Sequence, residues 1–238
     1  MNHQLDYFYC PQEHIAGNTV VIQGEEFSHL VHVMRKREGD EIRVVDGRGT
    51  AYDVRIEHVK HRTAQGSIHQ TYVRHHESPF NVTLAAGVLK NPSKFDFLVE
   101  KVTELGVRQI IPLLTERTIP NHAKVDRWQK IALAAMKQSC RSYLPLVGGL
   151  TSIDDIVRDK KFYDLRLIAH EKIKSGFSLD SIQMTAQSSV LILIGPEGGF
   201  SDEEIRMCET AAFSSISLGE RRLRTETAAI VVAAFILR

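Results

Sequence analysis

Residues 190–205, VLILIGPEGGFSDEEI, restrict the fold more than any other stretch of the chain. Val190 to Ile194 is an unbroken apolar run and reads as a strand buried on both faces. Gly195-Pro196-Glu197-Gly198-Gly199 ends it, and Ser201 with Glu204 three residues on reads as a capping box opening a helix. A glycine turn between a buried strand and a helix usually suggests a phosphate cradle. Glu197, a carboxylate in the middle of that turn, argues against one.

The same texture runs through the C-terminal two thirds. Val82–Val88, Val107–Leu114, Leu165–Ala169 and Ile216–Leu218 read as strands. Between them Lys94–Leu105 reads as a helix opened by Ser93 and closed by Gly106. Val125–Cys140, Ser201–Ala212 and Thr225–Leu237 read as further helices. Strands alternating with helices predict an α/β layer around a mostly parallel sheet. The first seventy residues differ: Thr19–Ile22, Glu41–Val45, Tyr52–His58 and Gly66–Val73 read as short strands, with one helix over Glu25–Arg35. They suggest a small β-barrel. The polar join Arg74-His75-His76-Glu77-Ser78-Pro79 sets the expected division, a domain over 1–73 and another over 74–238.

With 43% hydrophobic and 25% charged residues the composition is that of a folded globular chain. The longest apolar run, Ala228–Leu237, is too short to span a bilayer, and MNHQLDYFYC lacks the features of a secretory signal, so a cytoplasmic protein without a membrane role is expected. Cys10, Cys140 and Cys208 are widely spaced and form neither a disulfide framework nor a zinc motif. His29 with His32, and His58 with His61, lack an evident third ligand, so no metal is expected. The net charge of +1 does not advertise nucleic-acid binding, and any basic surface must be local, such as Arg35-Lys36-Arg37.

Two loops follow late strands, Gly195–Phe200 and Leu218-Gly219-Glu220-Arg221-Arg222-Leu223-Arg224-Thr225-Glu226-Thr227. In open α/β sheets the C-terminal strand edge is where ligands bind. Neither loop carries GK[ST] or GxGxxG, so the common nucleotide-phosphate patterns fail. Glycines that let backbone approach a flat ligand, beside a carboxylate that tolerates a cation, suit S-adenosylmethionine. A strand-to-helix turn without a ligand accounts for the same residues.

LIGPEGGFSDEEI followed by LGERRLRTETAA resembles the paired cofactor loops of the RsmE family, within the SPOUT class of RNA methyltransferases. ESPFNVTLAAGVLK, EKVTELGVRQIIPLLTERT and KQSCRSYLP resemble that family's catalytic segments, and HLVHVMRKREGDEIRVVDGRG its small PUA-like RNA-binding barrel. The resemblance implies a SPOUT-type parallel sheet tied in a deep trefoil knot, a PUA-like barrel before it, and a homodimer. It implies N3-methylation of a uridine in 16S (small-subunit) ribosomal RNA, free or assembled in the subunit, with S-adenosylmethionine as cofactor. Cofactor contacts are then expected at His170, Ile194, Gly195, Pro196, Glu197, Gly198, Gly199, Leu218, Gly219, Arg221, Leu223, Thr227 and Ala228.

Uracil N3 carries a proton at neutral pH, so the reaction needs a route for that proton and a cation for the anion left behind. Arg141, Arg224 and Glu226 are the expected catalytic residues, with Glu197 a second carboxylate candidate; Arg35, Lys36, Arg37, Arg117 and Gln138 are expected to bind RNA. Thr225 reads equally well as an N-cap, and Arg141 as a cation on helix-end carbonyls. Glu220, Arg222 and Asn91-Pro92-Ser93 depart from the family pattern. A SPOUT enzyme acting on another RNA nucleotide and a non-catalytic RNA-binding protein are the competing readings.

Overall fold

A computed structural model describes residues 5–159, 161–170 and 184–237. The chain divides into two compact units. One runs up to Glu77 and takes in Leu133–Leu144; the other comprises Ser78–Ala132 and the chain from Pro145 onward. Residues 74–77 and 133–144, expected with the C-terminal part, therefore group with the N-terminal strands. The Glu77 carboxylate accepts the N–H groups of Ser142 and Tyr143, and the Ser142 hydroxyl donates to the His75 carbonyl.

The first unit holds β1 (Tyr7–Tyr9), β2 (Ile15–Ala16), β3 (Thr19–Gln23), β4 (Glu41–Val45), β5 (Thr50–Lys60) and β6 (Thr63–Val73). They form one sheet in the order β1-β4-β5-β6-β3-β2, with β1 parallel to β4 and the other pairs antiparallel. Alternate residues Val20 and Ile22, Ile42 and Val44, and Val54 and Ile56 share a core with Phe8 and Leu30. The expected helix is shorter than its apolar pattern. It is α1 (Gly24–Ser28), continued by wider π-type turns over His29–Val33, and Arg35 sits at φ 56°, outside helical geometry.

The second unit contains β7 (Asn81–Gly87), α2 (Pro92–Leu105), β8 (Gln109–Leu114), β9 (Leu146–Val147), β10 (Thr151–Ser152), α4 (Ile153–Arg158), β11 (Leu165–Ala169), β12 (Ser189–Ile194), α5 (Asp202–Thr210), β13 (Ser214–Ile216) and α6 (Thr225–Leu237). The helix α3 (Val125–Gln138) begins here and ends in the first unit. Every strand pairing in the second sheet is parallel, in the order β10-β8-β7-β12-β11-β13, with β9 also on β8. Leu191 and Leu193 of β12 pack with Ile153, Ile156, Ile205 and Cys208 of α4 and α5. By alternation Val190, Ile192 and Ile194 face the other side, where α6 packs on β7 and β12, and α2 packs on α6.

Local chemistry explains the ends of these elements. The Ser201–Glu204 capping box is present in both directions, as the spacing predicts. The start of α2 differs: Asn91, not Ser93, is the cap, its side chain accepting the Ser93 N–H at 3.0 Å, with Pro92 in the first helical position. Gly106 closes α2 in the left-handed region at φ 115°. The last strand ends at Ile216, two residues before the expected Leu218, because Ser217 and Leu218 turn into a loop. The apolar pattern of Ala228–Leu237 predicts burial on every side, yet Val231 of α6 is 39% exposed. Among the described residues no helix is long and apolar enough to cross a membrane.

Candidate active site

Parallel pairing brings the C-terminal ends of four strands to one edge. Ala86 of β7 pairs with Ile194 of β12, Ile194 with Ala169 of β11, and Ala169 with Ile216 of β13. The loops leaving these strands therefore emerge side by side, at the edge where open α/β sheets bind ligands. They enclose a cavity of about 370 Å³. Its wall includes Ile194, Gly195, Pro196, Glu197, Gly198 and Gly199 from one loop, Leu218, Gly219, Arg221, Leu223 and Arg224 from the other, and His170, Glu226 and Ala228.

The two loops are held by specific bonds. Thr225, 5% exposed, donates its hydroxyl to the Gly195 carbonyl at 2.9 Å, so it joins the loops, where the sequence had suggested an N-cap. Gly87 at the end of β7 admits the turn: a Cβ there would lie 2.4 Å from the Pro196 nitrogen. Glu197 reaches back and accepts the Lys90 backbone N–H at 3.1 Å. Arg117 donates to the Gly198 carbonyl at 2.8 Å. Glu204, buried in the capping box, also accepts the Glu116 N–H at 2.8 Å, which fixes the loop after β8 to the start of α5.

The cavity is charged on one side. Glu226 is only 8% exposed, and Lys94 Nζ lies 3.6 Å from its carboxylate. Lys94, in the first turn of α2, has no signal in the helical pattern; its position just beyond the β7 strand end is the clue that sequence offered. Phe200, Ile205 and Ser217 also line the cavity and were not anticipated.

The chain matches the RNA methyltransferase domain over residues 76–237 and the RNA methyltransferase PUA domain over residues 22–68. The ribosomal RNA small subunit methyltransferase E of Synechocystis is 34% identical, covering 93% of this chain and 74% of that protein. That of Bacillus subtilis is 31% identical over 88% of this chain and 86% of its own. The chain belongs to the ribosomal RNA small subunit methyltransferase E family. A crystal structure of the family member from Neisseria gonorrhoeae bound to S-adenosyl methionine superposes with a TM-score of 0.86 at 31% identity, covering 97% of this chain and 96% of that one. The α/β fold with a parallel sheet and an N-terminal PUA domain is thus that of RNA methyltransferases.

Against this methyltransferase E frame the expected residues sort clearly. Of the cofactor set only Thr227 is missing from the cavity wall; its side chain is exposed. Arg224 and Glu226 are on the wall. Arg141 is not: it belongs to the first unit, is 2% exposed, and donates to the Glu77 carboxylate at 2.7 Å. A guanidinium engaged in a buried ion pair is a structural cation, which corrects the expectation of a catalytic one. Arg35, Arg37 and Gln138 are exposed in the first unit, while Lys36 pairs with Asp6 at 2.7 Å. Among the described residues no group of three His, Cys, Asp or Glu is placed to hold a metal. Burial pushes the Cys10 and Cys208 thiols up to about 12, so both are packing groups.

Proposed function

We propose that this chain transfers a methyl group from S-adenosylmethionine to N3 of a uridine in 16S small-subunit ribosomal RNA. The observation that carries the reading is that the two loops resembling a cofactor site converge on one cavity and are bonded to each other through Thr225 and Gly195. A cavity of about 370 Å³ is within the range that small-molecule ligands occupy. Ile194, Leu218, Leu223 and Ala228 offer apolar wall for an adenine ring, and the carboxylate of Glu226 suits a cationic ligand. When bound, the cofactor supplies an electrophilic methyl on a positively charged sulfur.

The chain's own residues supply the rest. His170 and the residues 194–199, 218, 219, 221, 223 and 228 hold the cofactor. Glu226 receives the N3 proton, and Arg224 presents a cation toward the RNA from an exposed position at the head of α6. Rigid loop bonds keep the reacting atoms aligned, which is most of the work in a displacement at carbon. Arg35, Arg37 and Gln138, exposed on the first unit, are set to meet RNA outside the reacting base.

The same reading divides the protein into an RNA-binding domain over 1–73, its sheet closed as a PUA-like barrel, and a catalytic domain over 74–238 threaded as a deep trefoil knot. It includes a homodimer. Val231 of α6 and Phe97 of α2, exposed at 39% and 45% on helices that pack together, support an apolar contact there. Work on ribosomal RNA fits a cytoplasmic protein. The test is to incubate the protein with methyl-labelled cofactor and small ribosomal subunits from a strain lacking the modification, then digest the RNA. N3-methyluridine is expected; any other methylated nucleoside overturns the substrate.

A further inference from the structure

We propose that Lys94 and Glu226 together read the imide edge of the target uracil, with Lys94 the residue that selects uracil over cytosine. This rests on the uridine-methylation reading above. Lys94 is the third residue of α2, where the helix dipole disfavours a positive charge, and the first turn of α2 has no acidic residue to offset it. What faces it instead is Glu226, in the first turn of α6 and nearly buried. At 3.6 Å the two groups are close enough to hold each other's charge but too far apart for a hydrogen bond. Both keep capacity for a third party, and both line the cavity.

The other groups on that wall are committed differently. Glu197 accepts the Lys90 N–H and Arg117 donates to Gly198. A carboxylate beside an ammonium is complementary to adjacent donor and acceptor atoms. Uracil presents that pair on its Watson–Crick edge, N3–H beside a carbonyl oxygen. Cytosine presents an unprotonated N3 beside an amino group, which would set a lone pair against the carboxylate and a donor against the ammonium. The pair therefore favours uracil twice, by two hydrogen bonds gained and two clashes avoided.

The proton balance follows from the same contact. N3 gives its proton to a Glu226 oxygen and keeps the electron pair. That pair forms the new N–CH₃ bond while the sulfur keeps the pair of the S–CH₃ bond. Lys94 holds the negative charge that gathers on the adjacent carbonyl oxygen during the step. The proton then leaves Glu226 to water.

The experiment compares the full-length wild type with Lys94→Met and Lys94→Arg. Equilibrium dialysis measures S-adenosylmethionine binding. Filter binding in the presence of S-adenosylhomocysteine measures retention of reconstituted small subunits carrying uridine or cytidine at the position the wild type methylates. Expected are cofactor binding within about twofold of wild type in both variants, and a transfer rate lowered about 10²-fold or more in Lys94→Met. The preference for uridine over cytidine should fall about tenfold in Lys94→Met and be partly kept in Lys94→Arg. Unchanged transfer and preference in Lys94→Met overturns the proposal, as does loss of cofactor binding in both variants. A wild type that methylates no uridine defeats the underlying reading instead, a result separable from failure of Lys94 alone.

Discussion

The Thr225 hydroxyl donates to the Gly195 carbonyl at 2.9 Å across 30 residues of chain, and this bond makes two loops into one site. Buried as it is, it should contribute about 1 kcal/mol, and an orphaned Gly195 carbonyl would add to the loss. Thr225→Val should therefore weaken S-adenosylmethionine binding by about five- to tenfold in equilibrium dialysis, while Thr225→Ser keeps it. Wild-type affinity in the valine variant would mean the loops hold their geometry without this bond.

Glu197 acts as a strut in this geometry, since its carboxylate accepts the Lys90 N–H from the loop after β7. A strut needs an acceptor oxygen, not a charge. Glu197→Gln should bind cofactor within about twofold of wild type, whereas Glu197→Ala should lose about three- to tenfold. Equal losses in both would assign the residue an electrostatic role toward the bound cation.

Arg141 and Glu77 are 3% and 1% exposed at the side chain and form a buried ion pair. Removing one member leaves the other buried and uncompensated, at a cost of about 3–5 kcal/mol. Arg141→Ala should lower the thermal midpoint by several degrees before any defect specific to catalysis appears. A variant of wild-type stability that cannot transfer methyl groups would return Arg141 to the catalytic set.

His75 predicts a dependence on pH. Its Nε2 lies 2.8 Å from the Tyr7 hydroxyl and 3.2 Å from Arg43 Nη1, and its ring stacks on His76. Burial, then the neighbouring His76 and Arg43 charges, push its pKa from 6.5 down to about 4, with Asp53 opposing. Because the folded value lies below the unfolded one, the unfolded chain takes up the proton first as pH falls. This contribution to stability is present above about pH 6.5 and is lost on descending toward pH 4. Urea denaturation at several pH values should show that decline, and His75→Gln should flatten it.

Much of this was legible in the residues. The buried strands at 190–194 and 165–169 appear as apolar runs, the α5 start as a capping box, and the α2 stop as Gly106, since each depends on local periodicity or backbone preference. The two cavity loops were legible as a pair only through resemblance to a family. The paired roles of Glu197 and Lys90, separated by 107 positions, had no local signal. Nor did Lys94 opposite Glu226, which looks like an ordinary solvated lysine in its own helix.

Sequence by itself determined where strands and helices form and which faces are apolar, because those follow from spacing along a few neighbouring residues. It could say that Leu133 and Met136 lie on a buried stripe of α3, not that Val45 and Ala51 of the first unit share that cluster. Only tertiary structure decided that, and with it the burial of Arg141 against Glu77 and the facing of Lys94 and Glu226. The physical reason is that hydrophobic patterning is non-directional: it drives a surface out of water without naming its partner. Charges and hydrogen bonds acquire their roles from that partner's position.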